Sequence, residues 1–192
     1  MPIIRRFGRR AFLALSAGGA GAFLLGRYFA VGQSRSQAPL NHTRTTTSSD
    51  KTYSSTDKGL LNIALEARYE PISIAGQQAT LYSYNGQIPG PKIETKPGDT
   101  VRVRFTNYLP NPTNIHYHGL HIPPTGNADN VFLDIPNGET FTYEFTIPED
   151  HPSGLFYYHP HRHGFVAEQV FGGLGGMFVV RGELDQIPEV KA

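Results

Sequence analysis

The stretch TVRVRFTN, residues 100–107, alternates apolar and polar side chains along its whole length. Val101, Val103 and Phe105 fall on one side of a two-residue repeat, and the two arginines fall on the other. Because successive side chains of a β-strand point to opposite faces, this pattern predicts a strand with one buried face. The turn-forming residues KPGD at 96–99 mark where that strand begins.

The same two-residue repeat occurs on both sides of this strand. In NIALEARYE (62–70) one face carries Ile63, Leu65, Ala67 and Tyr69, and in ETFTYEFTI (139–147) one face carries Phe141, Tyr143, Phe145 and Ile147. Further strands are expected at residues 113–119, 155–161 and 176–181. Several short strands separated by turn signals predict an all-β protein, an antiparallel Greek-key β-sandwich whose single core spans residues 59–185.

The composition excludes several classes of site. The chain has no cysteine, so it can form neither disulfides nor thiolate metal ligands. Residues 1–35 hold six arginines and no acid, whereas the rest of the chain has 11 Lys and Arg against 16 Asp and Glu. No basic face is therefore left for nucleic acid, and no nucleic-acid partner is expected.

The amino terminus has the order of an export signal. Arginines precede an apolar run at residues 11–26, and Arg9-Arg10 followed by Ala11-Phe12-Leu13 resembles a twin-arginine signal. We therefore expect residues 1–33 to direct the chain to the periplasm or the extracellular space, or to tether it to a membrane if uncleaved. The Ser/Thr-rich residues 34–58 are predicted to be a flexible linker, and residues 186–192 a tail.

Histidines are concentrated in two short segments, NIHYHGLH (114–121) and YYHPHRHG (157–164), which hold six of the eight in the chain. Residues i and i+2 of a strand point to the same face, about 6.5 to 7 Å apart. Each His-x-His pair can therefore chelate one metal if the strand bends, or serve two neighbouring metals if it does not. The pairs are His116 with His118 and His159 with His161.

The imidazole ligands limit which metal ions can bind but do not identify a single one. Imidazole suits copper, zinc, iron and nickel, and copper(II) binds most strongly among the divalent ions. Zinc in a catalytic site built only from histidine is the first alternative. A cupin-like metal barrel would need a Glu soon after the first pair, and residues 119–125 contain none.

Two long segments carry a resemblance to a known family. YNGQIPGPKIETKPGDTVRVRFTNYLPNPTNIHYHGLHIPP (84–124) is followed by GLFYYHPHRHGFVAEQVFGGLGGMFVVRG (154–182). In this order they resemble the amino-terminal plastocyanin-like, or cupredoxin, domain of bacterial multicopper oxidases. The likeness runs from about Leu60 to Gly182.

The resemblance implies copper as the cofactor and a role for each paired histidine. Oxidases of this family take electrons at a blue copper and pass them to a three-copper cluster, which lies between the first and last cupredoxin domains and reduces dioxygen to water. His116 would bind the single, type 2 copper. His118 and His159 would share one copper of the type 3 pair, and His161 would bind the other.

The remaining candidates lie around these ligands. Asp129 falls where the family has an acidic loop near the cluster, so it is a candidate proton relay, and the alternative is a solvated turn residue. His163 is expected on the same strand face as the second pair, orienting a ligand or serving the structure. His121 and His151 are expected in turns or beside the ligands.

Two functions stay open at this point. The chain has no His-Cys-His segment and therefore no type 1 site, so alone it is expected to be inactive as an oxidase. It is either part of a multicopper oxidase, completed by missing cupredoxin domains or a second chain and then binding dioxygen, or a stand-alone exported copper-binding or copper-sequestering module. An empty, degenerate cupredoxin domain is a third interpretation, which the four intact ligand positions disfavour.

Overall fold

The structure is a computed structural model that describes residues 51–55 and 59–191. The predicted signal segment and most of the predicted linker lie outside these residues. The strands are β1 (Thr52–Ser54), β2 (Leu60–Ile74), β3 (Gln77–Tyr84), β4 (Gly90–Thr95), β5 (Thr100–Asn107), β6 (His116–His118), β7 (Thr140–Thr146), β8 (Gly154–His159) and β9 (Gly176–Val180). The helices are α1 (Val166–Phe171), a 3-10 helix (Glu183–Gln186) and α2 (Pro188–Lys191), the last within the predicted tail.

The strands form two sheets that face each other across one core. Sheet I has the order β1-β4-β9-β8-β6, and sheet II has the order β3-β2-β5-β7. Val101, Val103 and Phe105 of β5 are completely buried, as the alternating pattern predicts. Tyr143 on β7 and Phe178 on β9 close the core from the neighbouring strand and from the opposite sheet. The predicted β-sandwich is confirmed.

The sandwich is not purely antiparallel, which differs from the expectation. β2 pairs with β5 in parallel, from Leu60 opposite Thr100 to Ala67 opposite Asn107. Between these two strands the chain reverses into β3 and then crosses to sheet I as β4, so β5 returns in the direction of β2. Sheet I likewise contains the parallel pairs β1–β4 and β4–β9.

One predicted core residue lies outside the core. Tyr69 is 52% exposed although it continues the face of Ile63, Leu65 and Ala67. β2 is paired with β5 only as far as Ala67, and beyond it pairs with β3 alone. The end of β2 therefore extends past the sandwich, where its apolar face meets no opposite sheet.

A short strand occupies part of the predicted linker. β1 pairs in parallel with residues 92–94 of β4 at the edge of sheet I. Tyr53 explains why it forms, because its ring packs against the core and its hydroxyl donates to the carbonyl of Ala64. Asn85 donates to the same hydroxyl. One aromatic side chain thus fixes a segment whose Ser/Thr content suggested a flexible chain.

The helix α1 is attached through two polar side chains. Gln169 is buried, accepts a hydrogen bond from the Thr113 hydroxyl at 2.8 Å and donates to the Pro112 carbonyl at 3.0 Å. Glu168 accepts a hydrogen bond from the Tyr82 hydroxyl. In the part of the chain that is described, no helix has the length and apolar character needed to cross a membrane.

Candidate metal centre

The two His-x-His pairs meet on the outer face of sheet I. β6 and β8 run antiparallel, with His116 opposite His159 and His118 opposite Tyr157. Tyr117 and Tyr158, which alternate with the histidines, are buried on the inner face. The alternation that buries these tyrosines therefore turns the imidazoles outward, onto one surface.

Three of the four imidazoles converge within the reach of a metal ion. One nitrogen each from His116, His118 and His159 lies within 4.8 Å of the other two. Nδ1 of His118 and Nε2 of His159 are 3.5 Å apart. A metal held tetrahedrally by two imidazole nitrogens at about 2.0–2.1 Å keeps those nitrogens roughly 3.3 Å apart. The pair thus fits one transition-metal ion, and the donor set is all imidazole.

Hydrogen bonds orient two of these rings. Nδ1 of His116 lies 2.9 Å from both carboxylate oxygens of Asp129, and Nδ1 of His159 lies 3.0 Å from the Pro160 carbonyl. The Asp129 carboxylate and the Pro160 carbonyl can only accept hydrogen bonds, so Nδ1 of each ring carries the hydrogen. Nε2 of each ring therefore keeps its lone pair for a metal. Partners of this kind fix the tautomer and orientation of a ligating histidine.

Asp129 is held firmly in the loop before β7. It is 8% exposed and also accepts the backbone N–H of Tyr117 at 2.8 Å. The alternative of a solvated turn residue is therefore wrong, because the carboxylate serves both the ring of His116 and the strand that carries it. Its action as a proton relay stays a prediction.

The environment keeps His159 in the neutral form. Burial lowers the pKa of His159 below its usual range, and the neighbouring imidazoles of His116, His118 and His161 lower it further. The hydrogen bond to Pro160 acts in the opposite direction without cancelling these effects. A neutral imidazole is the form that binds a metal, so His159 needs to lose no proton at neutral pH.

His161 adjoins the group of three, whose own rings at His118 and His159 have centres 5.3 Å from that of His116. Its ring centre is 5.1 Å from that of His116 and 6.1 Å from that of His159. Because β8 ends at His159, His161 lies in irregular backbone, where its N–H donates to Oδ1 of Asn114 at 2.7 Å. All four predicted ligands are thus close together. His161 differs from the other three because a side-chain hydrogen bond, and not a strand, holds its backbone.

Among the described residues, the remaining histidines are His121, His151 and His163. The expectation that His163 shares the strand face is wrong, because the strand has ended and His163 lies in the turn that leads into α1. His151 is buried; its Nε2 accepts the backbone N–H of His121 at 3.1 Å and its Nδ1–H donates to the Pro152 carbonyl at 2.8 Å. Both ring nitrogens of His151 are therefore engaged within the fold.

Sequence reasoning missed Tyr157 and Asn114. The Tyr157 ring stacks on His118, with centres 4.5 Å apart, and on His159, with centres 5.1 Å apart. Tyr157 lies two positions before His159 on β8, so the strand period places it on the ligand face, whereas Asn114 precedes β6 and is completely buried. Their contacts, however, depend on strand pairing and on a loop far along the chain.

The surface around the imidazoles is open and partly apolar. His118 and His161 are exposed. Along the same outer face Tyr157 is 46% exposed, Leu155 68% and Met177 43%. An apolar area thus continues from the histidines across β8 and β9.

Comparison with known proteins identifies relatives of this chain. The sequence profile of the family described as Multicopper oxidase matches residues 66–185. Laccase-2 of Cryptococcus neoformans is 40% identical over 52% of the chain, and Copper resistance protein A of Pseudomonas syringae is 39% identical over 57%. A solved multicopper oxidase of Campylobacter jejuni, described as a metallo-oxidase, is 38% identical over 66% of the chain with a TM-score of 0.58.

The relatives are much longer than the matched region. The match covers 17% of each of the two curated proteins and 27% of the Campylobacter jejuni chain. The likeness therefore concerns one part of each relative.

Proposed function

Because the chain belongs to the multicopper oxidase family, we propose that it acts as the first, cupredoxin-like domain of such an oxidase and supplies half of the histidine ligands of a trinuclear copper cluster. The observation that carries this proposal is the convergence of His116, His118 and His159, with His161 beside them. When bound, copper supplies the electron-transfer chemistry by which the cluster reduces dioxygen to water.

Each histidine has one expected partner in the cluster. His118 and His159 share one type 3 copper, an assignment supported by the 3.5 Å between their facing nitrogens. His116 binds the type 2 copper through Nε2, since Asp129 occupies its Nδ1. His161 binds the second type 3 copper. The chain itself has no cysteine, so its metals are of types 2 and 3 only.

The remaining ligands come from a partner. Further cupredoxin domains or a second chain would cover the face that carries the half-site, which is supported by the exposed Tyr157, Leu155 and Met177 beside the imidazoles. The blue copper that accepts electrons from a substrate belongs to that partner. Dioxygen then binds only in the completed assembly.

Copper binding by the full chain tests the site. Purified protein loaded with Cu(II) is expected to hold copper without intense blue absorption, and His118→Ala or His159→Ala should abolish at least one bound ion in the electron paramagnetic resonance titration. His163→Ala, an exposed histidine in the turn after the cluster, is the matched control and should behave as wild type. Unchanged copper content in both ligand variants would contradict the proposal, and preferential retention of zinc would reassign the metal.

A second candidate function is an exported module that binds or sequesters copper without oxidase activity. It is favoured by the arrangement of three imidazoles within one chain. Oxygen uptake separates the two functions: a half-site gains oxidase activity when the remaining cupredoxin domains are supplied, whereas a sequestering module stays inactive while holding copper.

Export belongs to the same proposal and rests on residues 1–33. Replacing Arg9 and Arg10 by lysine should keep the chain inside the cell if these residues form a twin-arginine signal. Cell fractionation measures the result, and unchanged export of the double variant would remove this part of the proposal.

A further inference from the structure

His161 is the ligand with the least support from regular structure. β8 ends two residues before it, and the chain turns away toward α1 after it. No ladder of strand hydrogen bonds can therefore fix its backbone. What holds it is the bond from its own N–H to Oδ1 of Asn114, 2.7 Å long and formed between residues 47 positions apart.

The other end of the Asn114 amide is fixed as well. Asn114 is completely buried, and its Nδ2 donates to the carbonyl of Val131 at 2.8 Å and to that of Leu133 at 3.0 Å. All three polar contacts are made to backbone atoms. A buried amide with both donors and its acceptor engaged has one orientation, because a flip would place oxygen against two carbonyls.

The contacts of Asn114 connect the segment that carries His116 with the segment that carries His161. The loop that contains Val131 and Leu133 also contains Asp129, which orients the His116 ring. Asn114 itself lies two residues before His116. A single side chain thus links the segment bearing His116, the loop that orients it, and the backbone of His161.

A second link between His161's segment and this loop is weaker. Arg162 pairs with Asp134 through two contacts of 2.9 and 3.0 Å. The Asp134 side chain is 51% exposed, and exposed ion pairs contribute little because water and salt screen them. The buried amide is consequently the main constraint.

We propose that Asn114 is a positioning residue that sets the place of His161 relative to His116, and thereby decides whether the fourth imidazole joins the copper site. The part concerning copper rests on the proposed function. The part concerning placement rests only on the hydrogen bonds of the Asn114 side chain.

The chain offers a close control for the test. Asn107 is also completely buried and also makes three backbone contacts: Nδ2 donates to Asn111 and Ile135, and Oδ1 accepts from Leu109. Asn107→Ala should disturb folding about as much as Asn114→Ala. It leaves the contact to His161 in place, so a difference between the two variants reports on positioning.

The first readout needs no metal. In the full chain, hydrogen exchange of the His161 amide followed by NMR should be slow in wild type, faster by about tenfold or more in Asn114→Ala because its acceptor is gone, and unchanged in Asn107→Ala. Rapid exchange in wild type, or equal exchange in the two variants, would overturn the proposal. If Asn114→Ala does not fold, Asn114→Ser takes its place, since its hydroxyl is too short to reach His161.

The second readout is the affinity for Cu(II), measured by competition with a chromophoric chelator. His161→Ala sets the loss that follows when the fourth imidazole is absent, about tenfold or more; Asn114→Ala should lose affinity by a similar factor, and Asn107→Ala should bind as wild type does. Wild-type affinity in Asn114→Ala would overturn the role in the copper site. Absence of copper binding in wild type would instead refute the proposed function and leave the exchange result to judge the placement.

Discussion

At the scale of single residues, Asp129 has two tasks that can be separated. Its carboxylate orients His116 and accepts the N–H of Tyr117. Asp129→Asn keeps the shape but replaces one acceptor oxygen by a donor, so the ring loses a charged partner. We expect copper affinity to fall by about tenfold, the lower end of the usual loss when such a partner is changed. Competition with a chromophoric copper chelator measures it.

The control for this variant is another acid. Asp150→Asn changes an exposed carboxylate and should leave the affinity unchanged. If Asp129→Asn binds copper as tightly as Asp150→Asn does, the orienting role of Asp129 is refuted.

Tyr157 gives a prediction that depends on its ring and not on its hydroxyl. The ring stacks on His118 and His159 with interplanar angles of 16° and 21°. Tyr157→Phe should therefore bind copper as wild type does, whereas Tyr157→Ala should lose roughly twofold to tenfold in affinity, the value of one aromatic pair. Isothermal titration with Cu(II) distinguishes them. Tyr69→Ala, at a similarly exposed tyrosine, is the control, and a loss there of equal size would point to a general effect.

Site residues were predictable where spacing alone identifies them. The i, i+2 period placed His116 with His118 and His159 with His161, and the resemblance pointed to Asp129. Asn114 and His163 were not predictable in this way. The contact of Asn114 spans 47 residues, and the place of His163 depends on where a strand stops, which the histidine spacing does not encode.

At the scale of elements, the first residue of β9 has no room for a side chain. A Cβ on Gly176 would overlap the ring of Tyr158, which is completely buried and donates to the Pro91 carbonyl. The ring cannot move aside, so Gly176→Ala should lower the free energy of unfolding by about 1–3 kcal/mol. Urea unfolding followed by fluorescence measures the loss.

The neighbouring glycine provides a matched control. A Cβ on Gly175 would have its nearest atom 4.0 Å away, which is an ordinary contact. Gly175→Ala should change stability little. Equal stability of the two variants would show that β9 and β8 can separate without cost, contrary to the close packing described.

Strand cores were predicted better than strand ends. The apolar alternation of β5 and β7 located both strands, because burial of one face enforces the period. β6 covers only His116–His118, where a longer strand was expected, and β1 lies where a linker was expected. Both depend on pairing with distant strands, a property that local composition does not carry.

At the scale of the whole molecule, five tyrosines are buried among the described residues, which predicts sensitivity to alkali. Burial raises the pKa of Tyr84, Tyr117, Tyr143 and Tyr158, and a hydrogen bond to Glu168 raises that of Tyr82 to about 12. In the unfolded chain tyrosine loses its proton near pH 10. The contribution of the buried tyrosines to the free energy of unfolding is fully present below about pH 10. It is lost as the pH rises above this value, because the unfolded chain then binds fewer protons than the folded one.

We expect the free energy of unfolding to fall by on the order of 1 kcal/mol per pH unit for each fully buried tyrosine above pH 10. Urea titrations at pH 8, 10 and 11, with tyrosinate absorbance, test this. Tyr84→Phe should give a shallower decline, because the Tyr84 hydroxyl has no partner among the described residues and only its ionisation is lost. A stability that stays level up to pH 11 would contradict the expectation.

The sandwich as a whole followed from the sequence, but the direction of its strands did not. Turn signals and alternation indicated a fold of short strands and the buried faces of β2, β5 and β7, although neither β1 nor β4 was predicted. The parallel pairing of β2 with β5 requires that β4 crosses to the other sheet. This crossing depends on the packing of the entire core and not on a local sequence pattern.

The small strand β1 has a practical consequence for handling the protein. It covers the outer edge of β4, where the Lys92 N–H donates to the Lys51 carbonyl and the Glu94 carbonyl accepts from the Ser55 N–H. A chain shortened to begin at Gly59 would leave these groups free to recruit the same edge of another molecule, whereas one that begins at Lys51 would keep them satisfied. The eight residues before Gly59 therefore separate a preparation that tends to self-associate on storage from one that stays dispersed.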